Sequence, residues 1–143
     1  MNPKTTNELL KLLNSADSVS ELNDYTKMAE KNTLIHSFPE YIADCLSRID
    51  TSQSELIQKA QIQRNYGYQI LNGTKNPGRD KVIALCLALS LSLPEVQRAL
   101  TLAQEGILYP KNRRDSVLIF CINKRLSVQD ANELLYSIDE KIL

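Results

Sequence analysis

The sequence predicts an all-α fold, and two observations support this prediction. Long-chain helix formers dominate the 143 residues, and the β-branched alternation typical of strands is rare. A Ser or Thr followed three residues later by an acid is a pattern that caps helix N-termini. It occurs at Thr5/Glu8, Ser18/Glu21, Ser37/Glu40, Ser52/Glu55, Ser92/Glu95 and Ser127/Asp130. We therefore expect helices near 6–14, 19–31, 38–49, 53–60, 63–72, 79–90, 93–104, 113–125 and 128–140.

Length and composition indicate an ordinary globular protein. Apolar residues make up 43% and charged residues 24% of the chain, which can bury a core without a disulfide or a metal. The three cysteines (Cys45, Cys86 and Cys121) lie in apolar helical runs without CxxC spacing, which predicts reduced core thiols. The longest apolar stretch, 82–93, is too short to span a membrane, and the N-terminus lacks the apolar core of a signal peptide. We expect a cytoplasmic protein that does not contact a membrane.

The helices group into three predicted segments. Residues 1–37 form an N-terminal helical extension that ends in a linker at 32–37, residues 38–104 form a central domain, and residues 105–143 form a C-terminal helical hairpin. The N-terminal helices carry a run of apolar residues, namely Leu9, Leu10, Leu12, Leu13, Val19, Leu22, Tyr25 and Met28.

The C-terminal hairpin resembles part of the central domain. Aligning 79–108 with 114–143 gives ten identities in 30 positions without a gap, and both segments predict helix, Leu-Ser cap and helix. Either a duplication or chance similarity between amphipathic helices accounts for the matches. A helical hairpin buries one face and needs a neighbour, so we expect the second hairpin to pack on the first and extend its core.

Charge is balanced overall but not locally. The formal net charge is zero. No acid occurs from Leu56 to Arg79, whereas Lys59, Arg64, Lys75 and Arg79 lie in that window. Local field rather than net charge acts on a phosphate backbone, so this window of four positive charges is a candidate nucleic-acid surface.

The same window predicts two short helices joined by a tight turn. Leu56 and Ala60 share one face of the first helix, Ile62 lies in the turn, and Tyr66 and Ile70 share one face of the second helix. Asn72-Gly73 ends the second helix, and Pro77 prevents its continuation. Two helices joined by so few residues cross steeply, which leaves the outer face of the second helix exposed.

That outer face carries side chains suited to DNA bases. Arg pairs with guanine, and Asn and Gln pair with adenine. The exposed positions hold Gln63, Arg64, Asn65, Tyr68 and Gln69. Gln53, in the first turn of the preceding helix, is placed to donate to a phosphate.

Residues 38–104 resemble the lambda-repressor-like (Xre/Cro) helix-turn-helix family. The positions that match the family pattern are Gln53, Leu56, Ala60, Ile62, Tyr66, Ile70, Gly73, Asn76, Pro77, Val82, Leu85, Ala88 and Leu89. The resemblance implies a five-helix DNA-binding domain, with N-terminal helices and a C-terminal hairpin appended to it. It also implies a sequence-specific transcription regulator that reads the major groove of double-stranded DNA with the helix near 63–72.

By the same resemblance, Gln63, Arg64, Asn65, Tyr68 and Gln69 contact bases, and Gln53, Thr74 and Lys75 contact phosphates. One such domain covers half a site, so a homodimer is expected. The sequence offers two dimer surfaces, the N-terminal helices and the C-terminal hairpin, and either one also suits a protein partner.

Three positions depart from the family pattern. Ile57 stands where the family has a small residue, and Gly67 stands where it has an aliphatic one. We expect Ile57 to fill the space over Gly67, because such an exchange conserves core volume. Gln61 stands where the turn usually has Gly, so either it adopts a positive φ at a cost of about 1 kcal/mol or the turn adjusts.

A protein-interaction adaptor built on a degenerate helix-turn-helix fold is the alternative to DNA binding, favoured by the neutral net charge and by the helix-weakening Gly67. Enzymatic activity is not expected, because the sequence has neither a Gly-rich phosphate loop nor an HExxH motif. The sole histidine, His36, lies in the predicted linker, so we expect no Cys–His pair, no metal site and no cofactor.

Overall fold

A computed structural model describes residues 6–31 and 37–143. Over these residues the chain forms helices and no strands, which confirms the all-α class. The helices are α1 (Thr6–Asn14), α2 (Val19–Lys31), α3 (Phe38–Ser47), α4 (Gln53–Lys59), α5 (Arg64–Leu71), α6 (Arg79–Ala88), α7 (Leu93–Leu102), α8 (Arg113–Asn123) and α9 (Val128–Ser137).

The helix starts follow the predicted caps. The hydroxyls of Ser18, Ser37, Ser52, Ser92 and Ser127 each accept a hydrogen bond from the amide three residues on. Ser92 and Glu95 form the full reciprocal capping box, and prolines occupy the first turns of α3 and α7. Thr5 lies outside the described residues. Two further caps, Gln63 of α5 and Asn112 of α8, were not predicted, because they lack the Ser/Thr signature.

Four helix ends differ from the prediction for the same reason. α6, α7 and α8 stop two residues early and α9 stops three residues early, because a residue with positive φ lies two positions after the last helical residue. α3 also stops two residues early, at Ser47, but without such a residue. The residues with positive φ are Ser90, Gln104, Arg125 and Asp139, and Gln61 holds the same position after α4. The next amide bonds back to the carbonyl five residues earlier, as in Ile62 N–H to the Ile57 oxygen at 3.2 Å. None of these residues is glycine, so the usual stop signal is missing from the sequence.

Gln61→Gly is expected to raise the free energy of unfolding by up to about 1 kcal/mol, because Gln61 adopts a φ of 57° that glycine accepts without a steric penalty. The midpoint of urea denaturation measures the change. Gln58→Gly, at an exposed helical position of α4, is the control and should be destabilising by a similar amount. An unchanged or lower midpoint for Gln61→Gly would contradict the strain at this turn.

The chain divides into two compact units, residues 1–36 and residues 37–143. In the first unit, α1 packs against α2. Among residues 7–28, whose side chains the structure describes, none is buried. Its exposed large apolar side chains are Leu10, Leu12, Leu13, Val19 and Leu22.

The second unit is organised around α6. Every residue from Val82 to Leu87 is buried, because α6 contacts α4, α7 and α9. α3 packs against α5 and α7, and α8 packs against α7 and α9. The expected packing of the C-terminal hairpin onto the central helices is therefore confirmed. Cys45, Cys86 and Cys121 are all buried and unpaired in disulfides, and burial raises the pKa of each thiol.

Neither described range contains a helix with the length and apolar character needed to cross a membrane.

Candidate nucleic-acid interface

The candidate interface lies on the α4–α5 pair. Four residues, 60–63, join the two helices, and the positive φ of Gln61 turns the chain so that α5 packs on α4 and α3. Leu56, Ala60, Ile62 and Ile70 are buried, as their spacing predicted. Tyr66 is half-buried against the same core. The buried faces of α4 and α5 therefore fix which side of α5 points outward.

Ile57 and Gly67 fit each other as expected. A Cβ atom added to Gly67 would lie 2.6 Å from Cγ2 and 2.7 Å from Cγ1 of Ile57. Ile57 is only 2% exposed, so its branched side chain cannot move aside into solvent. The large residue on α4 therefore occupies the space that a side chain on α5 would need, which confirms the predicted volume exchange.

Gly67→Ala is expected to lower the free energy of unfolding by about 1–3 kcal/mol, although alanine is the better helix former. The added methyl group would overlap the buried Ile57 side chain. In an Ile57→Ala background the same Gly67→Ala change should become neutral or stabilising, because the space is then open. A double-mutant cycle by urea denaturation measures this coupling. Additive effects of the two substitutions would show that the two positions do not compete for space.

The outer face of α5 presents polar side chains at its first turn. Gln63, Arg64 and Asn65 are exposed, whereas Tyr68 and Gln69 are half-buried. The Oε1 atom of Gln63 accepts a hydrogen bond from the Tyr66 amide at 2.8 Å. Gln63 thus caps the helix with its oxygen and retains its side-chain NH₂ group as a donor.

Arg64 is held by its neighbour one turn on. Its guanidinium carbon lies 5.8 Å from the centroid of the Tyr68 ring, within cation–π range. Tyr68 packs in turn against the hydrophobic core. The core therefore supports the ring, and the ring orients the arginine.

The three predicted phosphate-contacting residues are exposed near helix ends. Gln53 is the first residue of α4, and Thr74 and Lys75 lie in the turn after α5. That turn is shaped by Gly73 at φ 85° and by the Asn72 Oδ1 atom, which accepts from the Thr74 amide at 2.9 Å. The Lys75 amide bonds to the Gln69 carbonyl at 3.1 Å. The turn is therefore tied to the end of α5.

The positive window is smaller than the sequence suggested. Arg79 donates to both Asp115 oxygens at 2.8 Å and to the carbonyls of Gly106 and Ile107 at 2.9 Å. The Asp115 carboxylate neutralises the charge of Arg79, so the prediction that Arg79 belongs to the positive surface is wrong. Lys59, Arg64 and Lys75 remain exposed. The repeat carried the missing signal, because it aligns Arg79-Asp80 with Arg114-Asp115.

No metal site accompanies this surface in the part of the chain that the structure describes, where no group of three His, Cys, Asp or Glu residues could hold an ion. His36 lies outside the described residues.

Comparisons of the chain with protein-family models, with curated proteins and with solved structures find no match. The case for a function therefore rests on the chain's own residues.

Proposed function

We propose that the protein is a sequence-specific, double-stranded DNA-binding transcription regulator. In this proposal residues 38–104 form a five-helix lambda-repressor-like helix-turn-helix domain, and α5 enters the major groove. One observation carries the proposal. The outward face of α5 presents Gln63, Arg64 and Asn65 together at its first turn, in a stretch without acids from Leu56 to Arg79.

The chemistry of this face matches that of base edges. A bidentate guanidinium suits the O6 and N7 atoms of guanine, and a carboxamide suits the N6 and N7 atoms of adenine. Arg64 and Asn65 supply these groups, with Gln63, Tyr68 and Gln69 beside them. The Tyr68 ring reduces the freedom that Arg64 would lose on binding. Gln53, Thr74 and Lys75 would fix the register by contacting phosphates.

The regulator is proposed to act as a homodimer joined through the N-terminal helices. A two-helix unit without a buried side chain among residues 7–28 is too small to bury a core of its own. Its exposed leucines, such as Leu10 and Leu22, offer an apolar surface to a second copy. The apolar face of the C-terminal hairpin, by contrast, is already packed on α6 and α7.

A protein-interaction adaptor is the second candidate, and a specific observation favours it. Phe120 on α8 is 49% exposed and Tyr136 on α9 is 79% exposed, although both helices contribute to the core. Large exposed aromatic side chains are enriched at protein interfaces. An adaptor would bind a partner protein through this hairpin and would not bind DNA.

Salt dependence of DNA binding separates the two candidates. Fluorescence anisotropy of the full chain with duplexes from its own upstream region should show binding that weakens as salt rises. The log–log slope is about −0.9 per neutralised phosphate, so phosphate contacts from Lys59 and Lys75 would give about −1.8 per chain. A folded protein without salt-sensitive binding to any of these duplexes would contradict the proposal and favour the adaptor.

A further inference from the structure

Two equivalent ion pairs join the first hairpin (α6–α7) to the second hairpin (α8–α9). Arg79 at the start of α6 binds Asp115 at the start of α8, with both N···O distances 2.8 Å. Arg114 of α8 binds Asp80 of α6 at 2.9 Å. At the repeat offset of 35, Arg79 is equivalent to Arg114 and Asp80 to Asp115. The arginine of each hairpin therefore binds the aspartate of the other.

The helices of the two hairpins also pack reciprocally. α6 packs on α9 and α7 packs on α8, where α6 is equivalent to α8 and α7 to α9. Arg125 donates to the Ser90 carbonyl, and these two positions are equivalent, so they meet where a two-fold axis would pass. An interface in which residue i meets j while j meets i is that of a two-fold dimer. Successive repeats of a solenoid do not reciprocate in this way.

The hydrogen bonds within each hairpin are also reproduced. The Gln97 side chain accepts from the Leu108 amide at 2.8 Å, and the equivalent Asn132 accepts from the Leu143 amide at 2.7 Å. Arg79 Nε donates to the Gly106 carbonyl, and the equivalent Arg114 Nε donates to the Lys141 carbonyl, both at 2.9 Å. The second hairpin is thus a structural copy of the first, which favours duplication over chance similarity.

The identical positions include apolar residues of both hairpins that contribute to the core or pack against it. The identical pairs include Val82 with Val117, Cys86 with Cys121 and Leu100 with Leu135. The two hairpins differ at Leu85, which is buried, and at its equivalent Phe120, which is 49% exposed. α6 has α4 packed against it. The second hairpin therefore reproduces the ion pairs and hydrogen bonds of the first without reproducing its full burial.

We propose that the face of α6–α7 covered by α8–α9 is a self-complementary docking surface for a second copy of this chain. The C-terminal hairpin acts as an internal stand-in for that copy. In the dimer, Arg79 of each copy would bind Asp80 of the other, in the place of the present Arg79–Asp115 and Arg114–Asp80 pairs. The tethered hairpin has a high effective concentration and keeps the face closed until it is released. The residues of this contact are distinct from the proposed base-reading residues of α5 and from those of the proposed N-terminal dimer contact.

Site-specific cross-linking in the full chain tests this proposal. Ser90→Cys places a thiol beside the two-fold axis, where two docked copies would bring their equivalent positions together. The three natural cysteines are replaced by Ala in every chain, because release of the hairpin would uncover thiols that are buried in the closed structure. Asp115→Arg, added to Ser90→Cys, repels Arg79 and releases the hairpin but leaves Arg79 and Asp80 intact. Exchange of hairpins between copies is not favoured, because the same repulsion would follow the hairpin.

The expected result is a cross-linked dimer for Asp115→Arg and at least tenfold less dimer for the parent Ser90→Cys chain. Glu133→Arg is the matched control, because it reverses an exposed charge on α9 that accepts from Gln129 of the same helix and leaves the Arg79–Asp115 pair in place. It should cross-link no more than the parent. If Asp115→Arg loses its helical circular dichroism, Asp115→Asn is assessed by the same criteria. A folded, released chain without the position-90 cross-link would overturn the proposal, as would equal cross-linking in the Glu133→Arg control.

Discussion

Asp115→Ala is expected to lower the free energy of unfolding by about 3 kcal/mol, a loss at least as large as that expected for any other substitution described above. Asp115 is only 5% exposed and accepts from two nitrogens of Arg79 and from the Tyr109 amide at 3.0 Å. Removing it leaves the partly buried Arg79 guanidinium without its counter-charge and the Tyr109 amide without its acceptor. Guanidinium chloride denaturation at neutral pH measures the loss.

The matched control for this loss is Glu140→Ala. Glu140 pairs with Arg113 near the same end of α8, but the Arg113 side chain is 64% exposed. The Glu140 side chain is 24% exposed, but its one contact is to a well-solvated arginine, and such pairs contribute about 1 kcal/mol or less. The control should therefore cost much less than Asp115→Ala. Equal effects of the two substitutions would show that the Arg79–Asp115 pair does not hold the hairpin in place.

The stabilising effect of Asp115 should also depend on pH. Hydrogen bonds from Arg79 hold the pKa of Asp115 below its ordinary value. A carboxyl group with a lower pKa in the folded state stabilises fully above its unfolded pKa, which is about 3.9. The stability difference between the natural chain and Asp115→Asn should therefore be constant near neutral pH and shrink as the pH falls below about 4. A difference that grows toward low pH would contradict this account.

Arg64→Ala is expected to weaken binding to a preferred duplex by roughly 10- to 100-fold, the effect of losing one bidentate base contact. Arg64 is exposed and contacts Tyr68 through its guanidinium, so the melting temperature should barely change. Competition anisotropy against unrelated duplexes measures the specific part. Retained discrimination between duplexes in a folded Arg64→Ala protein would remove Arg64 from the base-reading set.

Lys75→Ala is the informative comparison for Arg64→Ala. Lys75 lies in the exposed turn after α5 and is proposed to contact phosphate. Its loss should weaken binding to all duplexes alike and reduce the salt slope by about 0.9. The two variants thus separate base reading from backbone attachment.

The sequence predicted the all-α class and all the described helix starts to within one residue, because serine caps and first-turn prolines act locally. Helices α6 to α9 were predicted too long, because the residues with positive φ that follow them are not glycines. These residues are Ser90, Gln104, Arg125 and Asp139. The hydrogen bonds that close these helices are local backbone bonds, as in Leu91 N–H to the Cys86 oxygen, but no glycine in the sequence marks the positions where they form.

The candidate site was predictable only in part. The helical spacing of Tyr66 and Ile70 predicted which face of α5 points outward. Conservation of core volume predicted that Ile57 lies over Gly67. The ion pair of Arg79 was not predictable from the residues next to it in sequence, because its partner Asp115 is 36 residues away. The capping role of Gln63 was also missed, since glutamine is not among the common N-cap residues.

The most direct test of the central claim is an NMR titration of the full, ¹⁵N-labelled chain with a duplex from its own upstream region. DNA binding through α5 predicts the largest shift changes at the amides of 63–69 and 74–75 and at the side-chain NH₂ groups of Gln63, Asn65 and Gln69. Changes confined to α8 and α9, or no changes in a folded protein, would contradict it.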